Sequence, residues 1–365
     1  MIVILSIVVL SFLFGYFYMK QAKFGRVPSG KRLEIIQNSP NYKNGAFQNL
    51  DSTPYITKEV SIFELFYDLL FKKTENKIPA NTIPSIKTDI KSLDVNENVL
   101  IWFGHSSLYF NLNGKRFLVD PVFSGKVSPA SNSSKAFGGS DVYDVDEFPE
   151  IDYLIITHDH YDHLDYETIV ALKSKTKMVI CALGVGEHLE YWDYNPAKII
   201  EKDWYDSVEL ENQIKITLTP ARHFSGRTFK RNVSLWTSYV IESPSYRMFI
   251  SGDSGYASHF KEIGNRFGTF DLAILECGQY NEKWQNIHTM PEEIHSIASE
   301  LKTKSFFPVH NSKFALAHHP WKEPLEKVYM LVKTSVIKMI TPKIGELVRL
   351  NDSTQIFSKW WENVE

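Results

Sequence analysis

Nine consecutive residues of this chain, Thr157-His-Asp-His-Tyr-Asp-His-Leu-Asp165, hold three histidines and three aspartates. Core packing gives no reason for such a run. Imidazole nitrogens and carboxylate oxygens together form the ligand set of Zn²⁺ and similar divalent ions. The run directly follows the apolar segment Ile151-Asp-Tyr-Leu-Ile-Ile156, so it leaves what reads as the end of a strand. Alternate residues of an extended stretch point the same way, which puts His158 and His160 on one side. Asp162 and His163 come on the next turn and can face a second ion. The spacing His-x-His-x-Asp-His suits a hydrolytic centre with two metals.

A loop of this kind needs other elements to bring it further ligands. From Val99 onward the chain is rich in strand-forming segments: Val99–Phe103, Leu108–Leu112, Lys115–Val119, Ile151–Ile156, Met178–Cys181, Ile214–Leu218, Ser238–Glu242, Met248–Ser251, Leu272–Glu276 and Ser305–Val309. Asn113-Gly114 between the second and third is a type I′ hairpin signal. Helical patterns fall at Tyr166–Ser174, Ala257–Phe267, Pro291–Leu301 and Pro324–Thr334. This alternation predicts two mixed sheets packed together with helices outside. Three more strand ends carry polar residues, a common place for a site. Pro220-Ala-Arg-His223 follows Ile214–Leu218, Ser251-Gly-Asp253-Ser-Gly255 follows Met248–Ser251, and His310 closes Ser305–Val309. Each is weak alone. Joined to Thr157–Asp165, they supply the ligands that two ions need.

The rest of the sequence sets bounds. Its 365 residues, 43% of them hydrophobic and 14% aromatic, suit a protein with a substantial core. A net charge of −3 gives no electrostatic reason to expect a nucleic acid. Cys181 and Cys277 lie far apart in apolar surroundings and read as buried free thiols. Ile2 to Met19 has no charged residue and is followed by Lys20, Lys23 and Arg26. This pattern predicts an uncleaved single-pass transmembrane anchor over residues 1–19, with the remainder on the cytoplasmic side. Residues 20–95 read as an irregular arm broken by Pro28-Ser-Gly30, Asn38-Ser-Pro40 and Asn44-Gly45, with one short amphipathic helix, Ile62–Phe71. A catalytic domain over 96–350 and a tail over 351–365 complete the expected organisation.

With these segments in view, the chain resembles the metallo-β-lactamase superfamily. The shared signature is His158-x-His160-x-Asp162-His163, a later His, a later Gly-Asp and a last His. More closely it resembles the N-acyl-phosphatidylethanolamine-hydrolysing phospholipase D family, from about Gly25 to Leu325. The likeness is carried by Phe103-Gly-His-Ser106, Leu118-Val-Asp-Pro121, His158–Tyr166, Phe249–Tyr256, Ile263–Asp271 and His288-Thr-Met-Pro-Glu-Glu293. The resemblance implies an α/β (α+β) fold, the metallo-β-lactamase αββα sandwich, with the site at the edge between the sheets. It implies one metal on His158, His160 and His223, a second on Asp162, His163 and His310, and Asp253 bridging them together with a water or hydroxide. Two Zn²⁺ are expected, and the ligand set also admits Mn²⁺ or Fe²⁺. Two segments depart from the family pattern. His310-Asn-Ser stands where His-Trp-Gly is frequent, and Gly278-Gln-Tyr-Asn-Glu282 where Gly-Ala-Tyr-Glu-Pro is usual. Both bear on the substrate rather than on the metals.

The expected chemistry is in-line attack of a metal-bound hydroxide on a phosphodiester, with Asp162 orienting it. His288, where the family also places a histidine, would protonate the leaving alkoxide. His105 would support a ligand from behind or make a polar core contact. Trp284, Trp321 and Phe314 are candidates for an acyl pocket, with core packing the default for each. The implied reaction converts N-acyl-phosphatidylethanolamine to an N-acylethanolamine and phosphatidic acid. Its partners are then a phospholipid and a membrane surface, with a homodimer left open. The competing readings are a hydrolase of a soluble lactone, ester or phosphodiester on the same fold, and a non-enzymatic metal-binding or membrane-tethered protein. The full ligand set argues against the last.

Overall fold

The computed structural model describes residues 2–57, 61–129 and 134–365. A short hairpin in the arm, Tyr42–Lys43 (β1) and Ala46–Phe47 (β2), precedes two seven-stranded sheets. Val99–Trp102 (β3), Leu108–Leu112 (β4), Lys115–Val119 (β5), Ile151–Ile156 (β6), Thr176–Ala182 (β7) and Ile199–Lys202 (β8) belong to the first. Ser207–Glu209 (β9), Lys215–Thr219 (β10), Ser238–Glu242 (β11), Arg247–Ile250 (β12), Leu272–Glu276 (β13), Ser305–Val309 (β14) and Lys338–Met339 (β15) form the second. Val348–Arg349 (β16) returns to the edge of the first, giving the orders β16-β3-β4-β5-β6-β7-β8 and β15-β14-β13-β12-β11-β10-β9. Each sheet pairs antiparallel on one side and parallel on the other, the change falling at β5–β6 and at β12–β13. At the predicted turn, Asn113 and Gly114 both have positive φ, 48° and 76°, as a type I′ hairpin requires.

Alternation along single strands explains the layers. Leu100 and Trp102 of β3 pack between the sheets, while Ile101 faces away. Leu272 and Ile274 of β13 do the same, with Ala273 and Leu275 turned outward. Strands buried on both faces need cover on both. Tyr166–Leu172 and Gly186–Tyr191 provide it on the first sheet, and His259–Phe267, Ile294–Glu300 and Glu323–Val332 on the second. The expected αββα sandwich is the observed fold.

The ends of the chain differ from expectation. Ile36, Phe47 and Ile83 of the arm, and Trp360, Trp361 and Val364 of the tail, are buried in the central core. The arm also contains a helix that its glycines and prolines concealed, Gly30–Gln37. An ion network fastens it, with Arg32 bound to Glu187 at 2.8 Å, Glu190 at 3.0 Å and Glu201 at 2.6 Å.

The transmembrane anchor is not supported. Ile2–Met19 is helical (α1), but among the described residues no helix is long and apolar enough to cross a membrane. Met1 and the side chains of Ile2, Val3, Ile4 and Val8 lie outside the described residues.

Candidate metal centre

Four strand ends meet at one edge of the sandwich. β6 delivers His158, His160, Asp162 and His163, β10 leads to His223, β12 to Asp253, and β14 to His310. His105, just after β3, and His310 both hold positive φ, 52° and 67°, an uncommon state for residues with a Cβ. Each is fixed by main-chain bonds across the sheets: the His310 amide donates to the His105 carbonyl, and the His105 amide to that of Asn311, both at 2.9 Å.

All seven residues expected as ligands come together. His160 Nδ1 lies 2.9 Å from His158 Nε2 and 3.2 Å from His223 Nε2, so three imidazole nitrogens face one point. Asp253 stands between this group and the next. Its Oδ2 is 3.8 Å from His158 Nε2 and 3.7 Å from His223 Nε2, while Oδ1 is 3.2 Å from His163 Nε2 and 3.1 Å from His310 Nδ1. Asp162 Oδ2 completes the second group, 3.7 Å from His163 Nε2 and 4.0 Å from His310 Nε2. Among the described residues, His163 Nε2 and Asp253 Oδ1 are fully buried and make no hydrogen bond. Buried polar atoms without partners are costly, and a cation held between them removes that cost. The donor set and these two atoms fit a dinuclear metal site.

Burial and charge hold three of these imidazoles in the neutral state a ligand needs and favour the charged state of His163. Burial holds the imidazoles of His158, His223 and His310 well below the ordinary histidine range, leaving them neutral as ligands must be. Burial also opposes charge on His163, but Asp253, Asp162 and Asp120 outweigh it and raise this ring well above that range. Burial alone would raise the carboxyls of Asp162 and Asp253. The charge of His163 instead brings both well below the usual carboxylate range.

An outer ring of partners turns three of the imidazoles. His163 Nδ1 is 2.8 Å from Asp120 Oδ2, and His223 Nδ1 is 2.8 Å from the Ile287 carbonyl. Asp120 also accepts from the amide and hydroxyl of Thr157, whose Oγ1 is 3.0 Å from His158 Nδ1. His105 Nε2 lies 2.9 Å from Asp162 Oδ2, which places it in one group of possible ligands with Asp162, His163 and His310. Asn49, from the arm, was not foreseen. Its Nδ2 donates to the His223 carbonyl at 2.7 Å and its Oδ1 accepts from the His223 amide at 3.1 Å. Asn49→Ala is therefore expected to weaken metal binding at the three-histidine position by about 10- to 100-fold. Metal titration with stoichiometry checks this, and unchanged affinity would show that the arm does not position His223.

Gly278 and the two departures from the family pattern form one joint. A Cβ on Gly278 would stand 1.7 Å from the His310 carbonyl oxygen. Gln279 donates to the Phe314 carbonyl at 3.0 Å and accepts from the amides of Leu316 and Ala317 at 2.7 and 2.9 Å. Asn311 donates to the carbonyls of Cys277 and Val309, both at 3.1 Å. Both side chains stitch the turn after β13 to the segment after β14. Gly278→Ala is expected to displace His310, lowering the Tm by about 4 °C or more and emptying one metal position. A variant with wild-type melting and metal content contradicts the joint.

A cavity of about 530 Å³ opens onto the cluster, lined by Tyr55, Ile56, Phe224, Arg231, Gln279, Trp284, Ile287, His288 and Leu316 besides the metal-site residues. His288 lies within reach of the centre, its ring 5.1 Å from that of His223 and 5.4 Å from that of His310. Its Nδ1 is 2.9 Å from Oε1 of the fully buried Glu276. Burial pushes the Glu276 carboxyl up to about 7, against the pull of His288. Burial would lower His288, but Glu276 raises it above the ordinary value. Of the aromatics expected in a pocket, Trp284 lines the cavity. Phe314 packs on Val122 and Val127, and Trp321 joins the central core, so neither belongs to it. Tyr55, Ile56, Arg231 and Glu276 escaped the sequence reading. Only Glu276, a carboxylate ending an apolar strand, left a signal there.

A family model described as beta-lactamase superfamily domain matches residues 115–311, more than half of the chain, and the chain belongs to that superfamily. With its His/Asp cluster it is a metallo-β-lactamase-fold, metal-dependent hydrolase. A protein of Mycobacterium tuberculosis described as uncharacterized is 34% identical over 331 residues, 90% of this chain and 88% of that one. The mitochondrial N-acyl-phosphatidylethanolamine-hydrolyzing phospholipase D of Saccharomyces cerevisiae is 31% identical over 257 residues, 67% of this chain and 54% of that protein. Among solved structures, Igni18, a metallo hydrolase from Ignicoccus hospitalis, shares the fold with a TM-score of 0.53 at 19% identity, covering 69% of this chain and 97% of that one.

Proposed function

We propose that this chain is a phosphodiesterase of phospholipase D type, cleaving N-acyl-phosphatidylethanolamine to an N-acylethanolamine and phosphatidic acid. The observation that carries the reading is the apolar-walled cavity that opens directly onto the cluster and includes His288. His158, His160 and His223 would hold one ion and Asp162, His163 and His310 the other, with Asp253 shared; zinc suits these ligands. When bound, the ions supply Lewis acidity toward a phosphoryl oxygen and lower the pKa of a coordinated water. Glu276, engaging Nδ1 of His288, leaves Nε2 to deliver a proton to the departing ethanolamide oxygen. Tyr55, Ile56, Phe224, Trp284, Ile287 and Leu316 exclude water and accept an acyl chain.

A lipid surface supplies such a substrate. The described side chains of α1 leave Phe12, Phe14, Tyr16 and Phe17 exposed. The base of this helix is stacked toward the site, with Tyr18 on Phe24 at 5.4 Å and Phe24 on Tyr161, between His160 and Asp162, at 6.4 Å. Helix Ile62–Phe71 exposes Phe63, Tyr67 and Phe71 at successive i, i+4 positions. Lys283, beside Trp284, ties it down through Glu64 at 2.6 Å and Asp68 at 2.7 Å. We infer that helix Ile62–Phe71 lies in the bilayer interface beside the cavity mouth, with the exposed residues of α1 a second apolar contact for lipid.

The test is incubation of the metal-loaded full chain with vesicles containing N-acyl-phosphatidylethanolamine, reading products by mass spectrometry. Release of phosphatidic acid that a chelator abolishes is the expected result. A loaded chain that releases none, yet hydrolyses a soluble ester or lactone, overturns the substrate assignment.

A further inference from the structure

Arg231 is the one lysine or arginine among the residues lining the catalytic cavity. Among the described residues no carboxylate pairs with it. Its guanidinium instead lies over two rings, 5.7 Å from the centroid of Tyr55 and 5.2 Å from that of Phe224. Both rings are themselves held. The Tyr55 hydroxyl accepts from Asn232 Nδ2 at 2.5 Å, and the Phe224 ring packs on His160 at 4.5 Å and on His223 at 4.8 Å. A single ring therefore separates the arginine from two of the metal-site histidines.

Stacking on aromatic faces fixes the plane of a guanidinium and leaves its N–H edges free. Those edges match the oxygens of phosphate or carboxylate. The two other charged side chains lining the cavity that are not histidines, Asp162 and Asp253, are already engaged with imidazoles. The rest of the wall is four histidines, the Tyr55 ring with its hydroxyl, apolar side chains and Gln279, whose amide is bound to the backbone. Arg231 is exposed at the rim of the cavity, so its guanidinium edges meet solvent there and are placed for a charge that the ligand brings.

We propose that Arg231, seated on Tyr55 and Phe224, is an anion subsite that takes a phosphate oxygen of an amphiphilic substrate and selects anionic substrates over neutral ones of the same chain length. The proposal rests on this cavity being the substrate cavity. It makes the arginine a specificity residue, separate from the metal ligands.

The experiment compares wild-type and Arg231→Gln full-length, metal-loaded protein by calorimetric titration with hexyl phosphate and with uncharged hexanamide. Arg231→Gln is expected to weaken hexyl phosphate binding about tenfold or more, the scale of a charge-assisted contact, with hexanamide changed by less than about twofold. Repeating the titration after metal removal is expected to preserve the arginine-dependent difference, which separates it from phosphate bound by the ions. Equal losses for both probes would mean that Arg231 only props the wall. That result, unchanged hexyl phosphate binding in the variant, or no wild-type preference for the anion would each overturn the proposal. A chain that shows the preference yet releases no phosphatidic acid from N-acyl-phosphatidylethanolamine keeps the subsite and loses the substrate assignment.

Discussion

Asp253→Asn should lower bound metal from about two ions per chain to one or fewer, and activity should fall with it. The reason is the position of one carboxylate. Its two oxygens face different histidine groups, one toward His158 and His223, the other toward His163 and His310. Asparagine keeps the shape and removes the charge, so the two groups of histidines would lose the anion that faces both. Groups one contact further from a metal already cost about 10- to 100-fold when removed. The loss for a shared ligand should exceed about 100-fold in kcat/KM. Metal analysis alongside kinetics checks it. A variant that keeps two ions and wild-type turnover would remove Asp253 from the centre.

His288→Ala should behave differently. It should leave both ions in place and reduce kcat by about 10²- to 10⁴-fold, the range for general acid catalysis. The distinguishing readout is the leaving group. An ethanolamide alkoxide needs a proton, whereas 4-nitrophenolate departs without one. The deficit should shrink to less than about tenfold on a 4-nitrophenyl phosphodiester. A deficit of the same size on both substrates would make His288 a structural element. Glu276→Gln should reproduce the pattern more weakly, because the amide can still accept from Nδ1 while losing the charge that raises His288.

Much of this was legible before any coordinates. The run Thr157–Asp165 announces a metal site because no packing need explains it. The hairpin Leu108–Val119 is written in its Asn-Gly turn. Asp253 and His310 stand at strand ends that β-rich segments make plain. What stayed hidden has physical causes. β15 and β16 are two residues each, too short for any alternation to register. Gly186–Tyr191 begins on glycine and runs only six residues. The arm looked irregular because its role depends on single polar contacts such as Asn49 to the His223 backbone, which carry no period. Phe314 and Trp321 were candidates for a pocket on residue type alone, and burial in the core claimed both. The apolar run at the N-terminus has the composition of a span, yet among the described residues no helix is long and apolar enough to cross a membrane.

The account's central claim is attack by water on phosphorus at the metal centre, and its most direct test is isotopic. Metal-loaded protein is incubated with N-acyl-phosphatidylethanolamine in H₂¹⁸O, and both products are weighed by mass spectrometry. One ¹⁸O atom in phosphatidic acid and none in the N-acylethanolamine is the predicted result. Label in the N-acylethanolamine, or turnover that yields no phosphatidic acid, would contradict it.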